Sequence, residues 1–211
     1  TRAESFFFFF GSGERFCQFY GSSLDNPVGV FVYIHPFAEE MNKSRRMVAQ
    51  QSKAFSANGF AVLQIDLCGC GDSSGDFNEA RWEIWKQDIL DAINWVKHRV
   101  SAPINLWGLR LGGMLALDIA NDAKVSFQHI VLWNPIISGN VFLTQFLRLK
   151  VANQLMIKNN DEGTGTRALR DRIEAGEALE IAGYELSSAL ALAIDKLRIG
   201  DFKASNTKIH W

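Results

Sequence analysis

Four short apolar runs punctuate the middle of the chain: VGVFVYI from Val28, FAVLQIDL from Phe60, INLWGL from Ile104 and HIVLWN from His129. Each is rich in β-branched and aromatic residues and lacks the strict alternation of a half-exposed strand. That is the pattern of strands buried on both faces of a parallel sheet. Between them lie helical patterns. Lys43–Ala57 carries Met47, Val48, Gln51, Ala54 and Phe55 at helical spacing and closes on Asn58-Gly59 as a C-cap pair. The stretch from about Glu79 to Arg99 aligns Trp82, Trp85, Ile89, Ile93 and Val96 on one face, with Pro103 just beyond its end. A third, Leu111–Ala120, follows INLWGL with almost no loop. Strand and helix alternating in this way give right-handed crossovers, hence a doubly wound, mostly parallel α/β sheet.

Ahead of this block, Ser5–Phe10 and Arg15–Tyr20 flank Gly11-Ser12-Gly13-Glu14, which predicts an N-terminal antiparallel β-hairpin. Side chains alternate along a strand, so the five phenylalanines of SFFFFF cannot share one face. Both faces must be covered, or one must meet a partner. After Pro135 the alternation stops. Ser138–Lys158, Thr166–Ala175 and Ser187–Leu197 read as helices, with a polar loop at Asn159–Gly165 and a short strand at Leu179–Tyr184. The expected organisation is a core of residues 1–137 and 201–211, with residues 138–200 forming a helical cap over the strand ends. Thr207–Trp211 begins like one more buried strand.

Composition narrows the function classes. With 211 residues, 47% apolar and 21% charged, the chain is long enough for one domain with a real core and is not disordered. A formal charge of −1 leaves no bulk field to attract nucleic acid or an anionic membrane. The longest apolar run, Phe6 to Phe10, is far short of the roughly 20 residues that cross a bilayer, so no transmembrane segment is expected. TRAES is not a secretory leader, and Cys17, Cys68 and Cys70 do not form a disulfide framework, so the expected location is cytoplasmic. Two thiols in C-x-C without a second Cys or His pair make no zinc site, and the sequence points to no metal and no cofactor.

The most informative stretch is INLWGLRLGGML: an apolar strand, then Gly-x-Arg-x-Gly-Gly, then a helix. This is the layout of a nucleophile elbow, G-x-S-x-G, in which flanking glycines permit a sharp strand-to-helix turn that lifts the central side chain above the sheet. Gly108 and Gly112 hold the flanking positions and Arg110 replaces the nucleophile. A guanidinium stays protonated at any biological pH and cannot attack a carbonyl. VFVYI ends in His35-Pro36-Phe37-Ala38-Glu39-Glu40, where hydrolases of this kind place the loop donating an oxyanion-hole N–H. AVLQI ends in DLCGCGDSSG, close to the D-x-x-G-x-G-x-S-x-G run of that fold.

Together these segments resemble the α/β-hydrolase fold. More narrowly, PFAEEMNKSRRM, DLCGCGDSSGDF, ARWEIW, LWGLRLGG, FLTQFLRLK and AGYELSSAL resemble the exosortase A system-associated hydrolase 2 family, over about residues 28–200. The resemblance implies a cytoplasmic bacterial protein encoded with exopolysaccharide and protein-sorting machinery, and it names no substrate. The chain departs from the fold's chain order Ser…Asp/Glu…His. Its histidines, His35, His98, His129 and His210, do not follow a final strand. Nucleophile and base are therefore both missing from their expected places.

Two roles compete for Arg110: binding an anion in the crevice at the strand ends, or pairing internally with Glu39, Glu40 or Asp72. Glu39-Glu40 can begin a helix, with Asn42 or Ser44 as caps, or act as paired carboxylates. Lys43, Arg45 and Arg46 read as a solvated helix face, and Ser73 and Ser74 as turn hydrogen-bonders. Trp107, Trp82 and Trp85 read as core. The expected ligand-binding set is Arg110, His35, Phe37, Glu39, Glu40, Leu111 and Asp72, without a confident catalytic residue. The first functional reading is a non-catalytic hydrolase-fold protein that binds an acidic or lipid-like small molecule or a partner. The alternative is an active serine-type hydrolase or esterase whose catalytic groups are displaced or C-terminal to the sequence. Exposed sheet edges at SFFFFF and TKIHW lead to the expectation of a homodimer.

Overall fold

The computed structural model describes residues 3–11, 13–21, 23–122, 125–156, 165–204 and 207–211. The runs without alternation become the strands β3 (Gly29–Ile34), β4 (Phe60–Ile65), β5 (Ile104–Leu109) and β6 (His129–Trp133), and every residue of β3 and β5 is buried. The hairpin is β1 (Glu4–Phe10) and β2 (Gly13–Tyr20), and β9 is Lys208–His210. The region from Leu179 folds as two strands where the sequence suggested one: β7 (Leu179–Ile181) and β8 (Tyr184–Leu186) make a separate antiparallel hairpin turning through Ala182 and Gly183, both at positive φ. The main sheet runs β1-β2-β4-β3-β5-β6-β9. From β4 to β9 neighbouring strands are parallel, whereas β1–β2 and β2–β4 are antiparallel.

The helices are α1 (Glu39–Ala57), α2 (Trp82–Arg99), α3 (Leu111–Asp122), α4 (Gly139–Met156), α5 (Thr166–Glu174) and α6 (Ser188–Lys196). One sheet face packs Val30, Val32, Leu63 and Leu106 against Ile89, Ile93, Met114 and Leu115 of α2 and α3. On the other, Tyr33, Val62 and Trp107 meet Val48 and Phe55 of α1. Trp82, Trp85 and Trp107 are core, as their spacing indicated. Two helix starts differ from the sequence reading. Helix α1 begins at Glu39, where the acidic pair was read as a possible start and four residues ahead of the apolar periodicity, because its buried stripe is Met41, Ser44, Val48, Ser52 and Ser56 and Met47 faces solvent; Asn42 and Ser44, weighed as caps, lie inside the helix, whose N-cap is Ala38. Serine fits close against the sheet and carries no hydrophobic signal. Helix α2 begins at Trp82, after a short 3-10 turn at Phe77–Glu79. The loop expected at Asn159–Gly165 lies outside the described residues except for Gly165.

On β1 the phenylalanines divide as alternation requires. Phe6 stacks on Trp95 of α2 at 4.9 Å and Phe8 meets its edge at 6.4 Å. Phe7 and Phe9, on the opposite face, are 57% and 75% exposed. The hairpin is anchored by a buried ion pair. Arg15 of β2 and Asp88 of α2 are fully buried, with Nε 2.9 Å from Oδ2, and the same oxygen accepts the Cys68 N–H at 2.8 Å. Arg15 Nη1 also reaches the Glu14 carbonyl and Ser74 Oγ. Burial raises the Asp88 carboxyl above its usual value despite the guanidinium beside it. Desolvation thus outweighs the attraction, the balance expected of a dry ion pair.

A second joint ties β3 to β4. The His35 ring accepts the Leu67 N–H at Nε2 (3.2 Å), which places the proton on Nδ1, donated to the Pro36 carbonyl at 2.7 Å. Burial pushes this imidazole below its ordinary value, against the pull of Pro36 and Asp66.

Two outcomes follow. Arg15→Met should destabilise by about 3–5 kcal/mol, because it strands a buried carboxylate. Arg15→Met/Asp88→Asn, which removes that charge and keeps an acceptor for Cys68, should be more stable than the single variant in urea unfolding. For His35 the unfolded state binds the proton more readily than the folded one. Its contribution is complete above the ordinary value of 6.5 and is lost as pH falls below it. Thermal unfolding from pH 8 to pH 5 should therefore show a declining midpoint, with a smaller decline in His35→Gln.

Candidate functional site

The elbow is assembled by close backbone contact. Arg110 is the single residue between β5 and α3 and holds φ +54, a left-handed conformation that a residue with a Cβ adopts at a cost. Its N–H donates to the Trp133 carbonyl at the end of β6 (2.9 Å), and its carbonyl accepts from Gly113 (3.1 Å). A Cβ on Gly108 would lie 2.5 Å from the Gly112 carbonyl. One on Gly112 would collide with the Ile34 carbonyl and lie 2.6 Å from that of His35. Glycine at both positions therefore lets the first turn of α3 rest against the end of β3. That contact juxtaposes two loops whose amides matter: among the described residues, the backbone N–H groups of Phe37 and Leu111 have no acceptor. These are the places from which a hydrolase of this fold draws its oxyanion donors.

The Arg110 side chain turns towards the start of α1, where Nε and Nη2 both lie 3.2 Å from Glu40 Oε1. Arg110 is 28% and Glu40 39% exposed, so the pair is at the wall of a cleft and not in the core. Glu40 Oε2 is buried and has no partner among the described residues. The cleft, of about 260 Å³, is bounded on the core side by Phe37, Glu39, Glu40, Lys43 and Arg110. Its other wall is α4, through Phe142, Gln145, Phe146 and Leu149. Phe37 packs edge-to-face on Phe142 at 5.6 Å and Phe146 at 5.1 Å, which ties core to α4 through aromatic contact.

Of the other expected site residues, His35 and Leu111 lie with Phe37 around a small pocket also lined by Trp82 and Trp85, and Asp72 lies apart from them. His35 is buried with both ring nitrogens used inside the protein, as a structural joint. Leu111 is buried, contributing a backbone N–H and not a side chain. Asp72 does not reach Arg110. It borders a second cleft, of about 500 Å³, with Asn42, Arg45, Cys70 and Tyr184, and its N–H donates to Asp66 Oδ2. Arg45 is exposed, as expected of that helix face, and also pairs with Asp66 at 3.0 Å. Glu39 accepts from the Tyr184 hydroxyl (3.4 Å), which itself accepts from Asn42 Nδ2 (3.2 Å), and burial beside Glu39 raises the phenol above its ordinary value. Tyr184 lies in the AGYELSSAL run quoted for the resemblance, but nothing in that run marked it as a cleft residue.

Other nucleophile candidates are occupied or inert. Ser73 Oγ accepts from the Phe16 N–H and donates to the Asp66 carbonyl. Burial pushes the Cys17 thiol up to about 12 and raises Cys68 and Cys70 as well, so all three stay protonated. Among the described residues, no group of three or more His, Cys, Asp or Glu could hold a metal ion, and no helix is long and apolar enough to cross a membrane.

Sequence comparison agrees with this geometry. The chain is 38% identical over 87 residues to an acyl transferase of Shewanella hanedai and 36% identical over 110 residues to human Protein ABHD12B, covering 40% and 52% of this chain. It spans 28% of the length of each of those relatives. Among solved structures, Est1E from Butyrivibrio proteoclasticus with ferulic acid bound superposes with a TM-score of 0.70 at 16% identity, over 97% of this chain and 77% of that one. Residues 25–182 match the family Hydrolase_4, described as serine aminopeptidase, S33. The chain thus has the α/β-hydrolase fold and belongs to the Hydrolase_4 family, with an arginine where the fold's turn presents its nucleophile.

Proposed function

We propose that this protein is a non-hydrolytic member of its family, in which the acyl-transfer turn has become a binding turn for an acidic or lipid-like small molecule, or for an acidic group of a partner. One observation carries the reading: the residue presented at φ +54 between β5 and α3 is Arg110, whose guanidinium is permanently protonated and cannot act as a nucleophile. Among the described residues, those lining its cleft include no Ser, Thr, Cys or His. What remains is a fork suited to a carboxylate or phosphate, beside two N–H groups without acceptors and an aromatic wall.

The proposal extends to setting and assembly. The quoted runs that resemble the exosortase A system-associated hydrolase 2 family support a cytoplasmic role in a bacterium with exopolysaccharide machinery. Residues 138–200 are taken as a cap on a core of 1–137 and 201–211, since α4 supplies one wall of the cleft. The exposure of Phe7 and Phe9 on β1, the last strand in the sheet order, supports a homodimer. A second reading, an active serine-type hydrolase or esterase with displaced or C-terminal catalytic groups, is favoured by the acyl transferase among the relatives and by the Phe37 and Leu111 amides.

Turnover separates the readings. With p-nitrophenyl acetate, butyrate and octanoate the chain should show no rate above buffer, and Arg110→Ser alone should stay inactive because it restores no base. Arg110→Ala, losing a partly exposed pair, should cost about 1 kcal/mol or less, so both variants remain folded for the assay. A saturable rate abolished by one Ser or Cys substitution would refute the binding reading in favour of the hydrolase. For assembly, light scattering at micromolar concentration should report about twice 23.7 kDa, and a monodisperse species at 23.7 kDa would reject the dimer.

A further inference from the structure

We infer that the cleft under α4 takes a medium-chain monocarboxylate, held head-first on Arg110 by exchange with Glu40, which passes to Lys43. The inference rests on the binding reading above and gives that site a ligand class. Its starting point is that Glu40 already behaves as a built-in ligand, but a poor one. Arg110 directs its Nε/Nη2 edge at a carboxylate and captures a single oxygen, at 3.2 Å from both nitrogens. A well-seated carboxylate would place one oxygen on each nitrogen. The second oxygen, Glu40 Oε2, is instead buried without a hydrogen-bond partner among the described residues, a desolvation cost that an incoming carboxylate need not carry.

Displacing Glu40 does not strand its charge. Lys43 lies three residues further along α1, on the wall of the same cleft, and makes no ion pair among the described residues. Glutamate and lysine at this spacing, with the acid nearer the helix N-terminus, meet on one helix face. The exchange leaves two ion pairs where there was one: ligand on Arg110 and Glu40 on Lys43. Glu39 at the same rim disfavours a dianionic head such as a phosphate monoester.

Behind the head group, Phe37, Phe142 and Phe146 are buried aromatic surface, and Leu149 is half-exposed on the same wall. A volume of about 260 Å³ corresponds to roughly nine waters at about 30 Å³ each, which suits a ligand of about eight to ten heavy atoms such as octanoate. A tail of that length already covers the aromatic wall formed by Phe37, Phe142 and Phe146.

Calorimetric titration of the full chain tests this with octanoate, octan-1-ol, octylamine, octyl phosphate and hexadecanoate. Octanoate should bind 1:1 and at least tenfold tighter than the alcohol, amine or phosphate, with hexadecanoate no tighter than octanoate. Glu40→Gln, which removes the internal competitor, should tighten octanoate several-fold. Lys43→Met should weaken it several-fold in the wild-type chain and hardly at all in Glu40→Gln, whereas Arg110→Gln should abolish the preference for octanoate over octanol. Equal affinity for octanol, no binding of octanoate at millimolar concentration, or weaker binding in Glu40→Gln would each overturn the inference while leaving the non-hydrolytic reading standing. Hydrolysis of the octanoyl ester would instead overturn that reading itself.

Discussion

The contact on which the site depends is the approach of the first turn of α3 to the end of β3, close enough that a Cβ on Gly112 would strike the carbonyls of Ile34 and His35. Because the backbones meet there, the chain must leave β5 and enter α3 within one residue, and that residue takes the left-handed conformation. Its side chain then has one way to go, up from the strand ends into the crevice. The same contact sets the Leu111 amide near the loop that carries Phe37, and fixes where α1 starts relative to the turn. The fold thus imposes a geometry first, and the identity of residue 110 decides what that geometry does.

Two arginines illustrate how burial decides the worth of a charge. Arg15 and Asp88 are dry, and the rise of the Asp88 carboxyl shows that taking it from water costs more than Arg15 returns. Such a pair locks the hairpin, α2 and the Cys68 loop in one arrangement, and it cannot exchange with anything outside. Arg110 and Glu40 are partly wet and imperfectly matched, with one carboxylate oxygen idle. That pair adds little to stability and is free to change partners. The two arginines differ in burial and geometry, not in chemistry.

The sheet and most helices were legible because their signals are physical necessities: strands buried on both faces must be apolar throughout, and Trp82, Trp85, Ile89, Ile93 and Val96 fall on one side of a helix. The elbow was legible because only glycine tolerates the contacts at 108 and 112. The first turn of α1 was marked by the Glu39-Glu40 pair alone and not by apolar periodicity, since its sheet-facing stripe includes Ser44, Ser52 and Ser56, which read as polar. Half of the cleft was equally hidden. Phe142, Gln145, Phe146 and Leu149 come from α4, and nothing local in sequence says which face of an inserted helix lies over which strand end. Asp72 was placed by motif in one site and by the loop in another, because Asp66 takes its N–H and turns it to the far side of α1.

The most direct measurement of the central claim is an experimental structure of the chain with octanoate bound. The account predicts the carboxylate with an oxygen about 3 Å from Arg110 Nε and another from Nη2, the tail along the wall formed by Phe37, Phe146 and Leu149, and Glu40 turned to Lys43. Octanoate seated elsewhere, or Arg110 still closed on Glu40 with the cleft passed over, would contradict it.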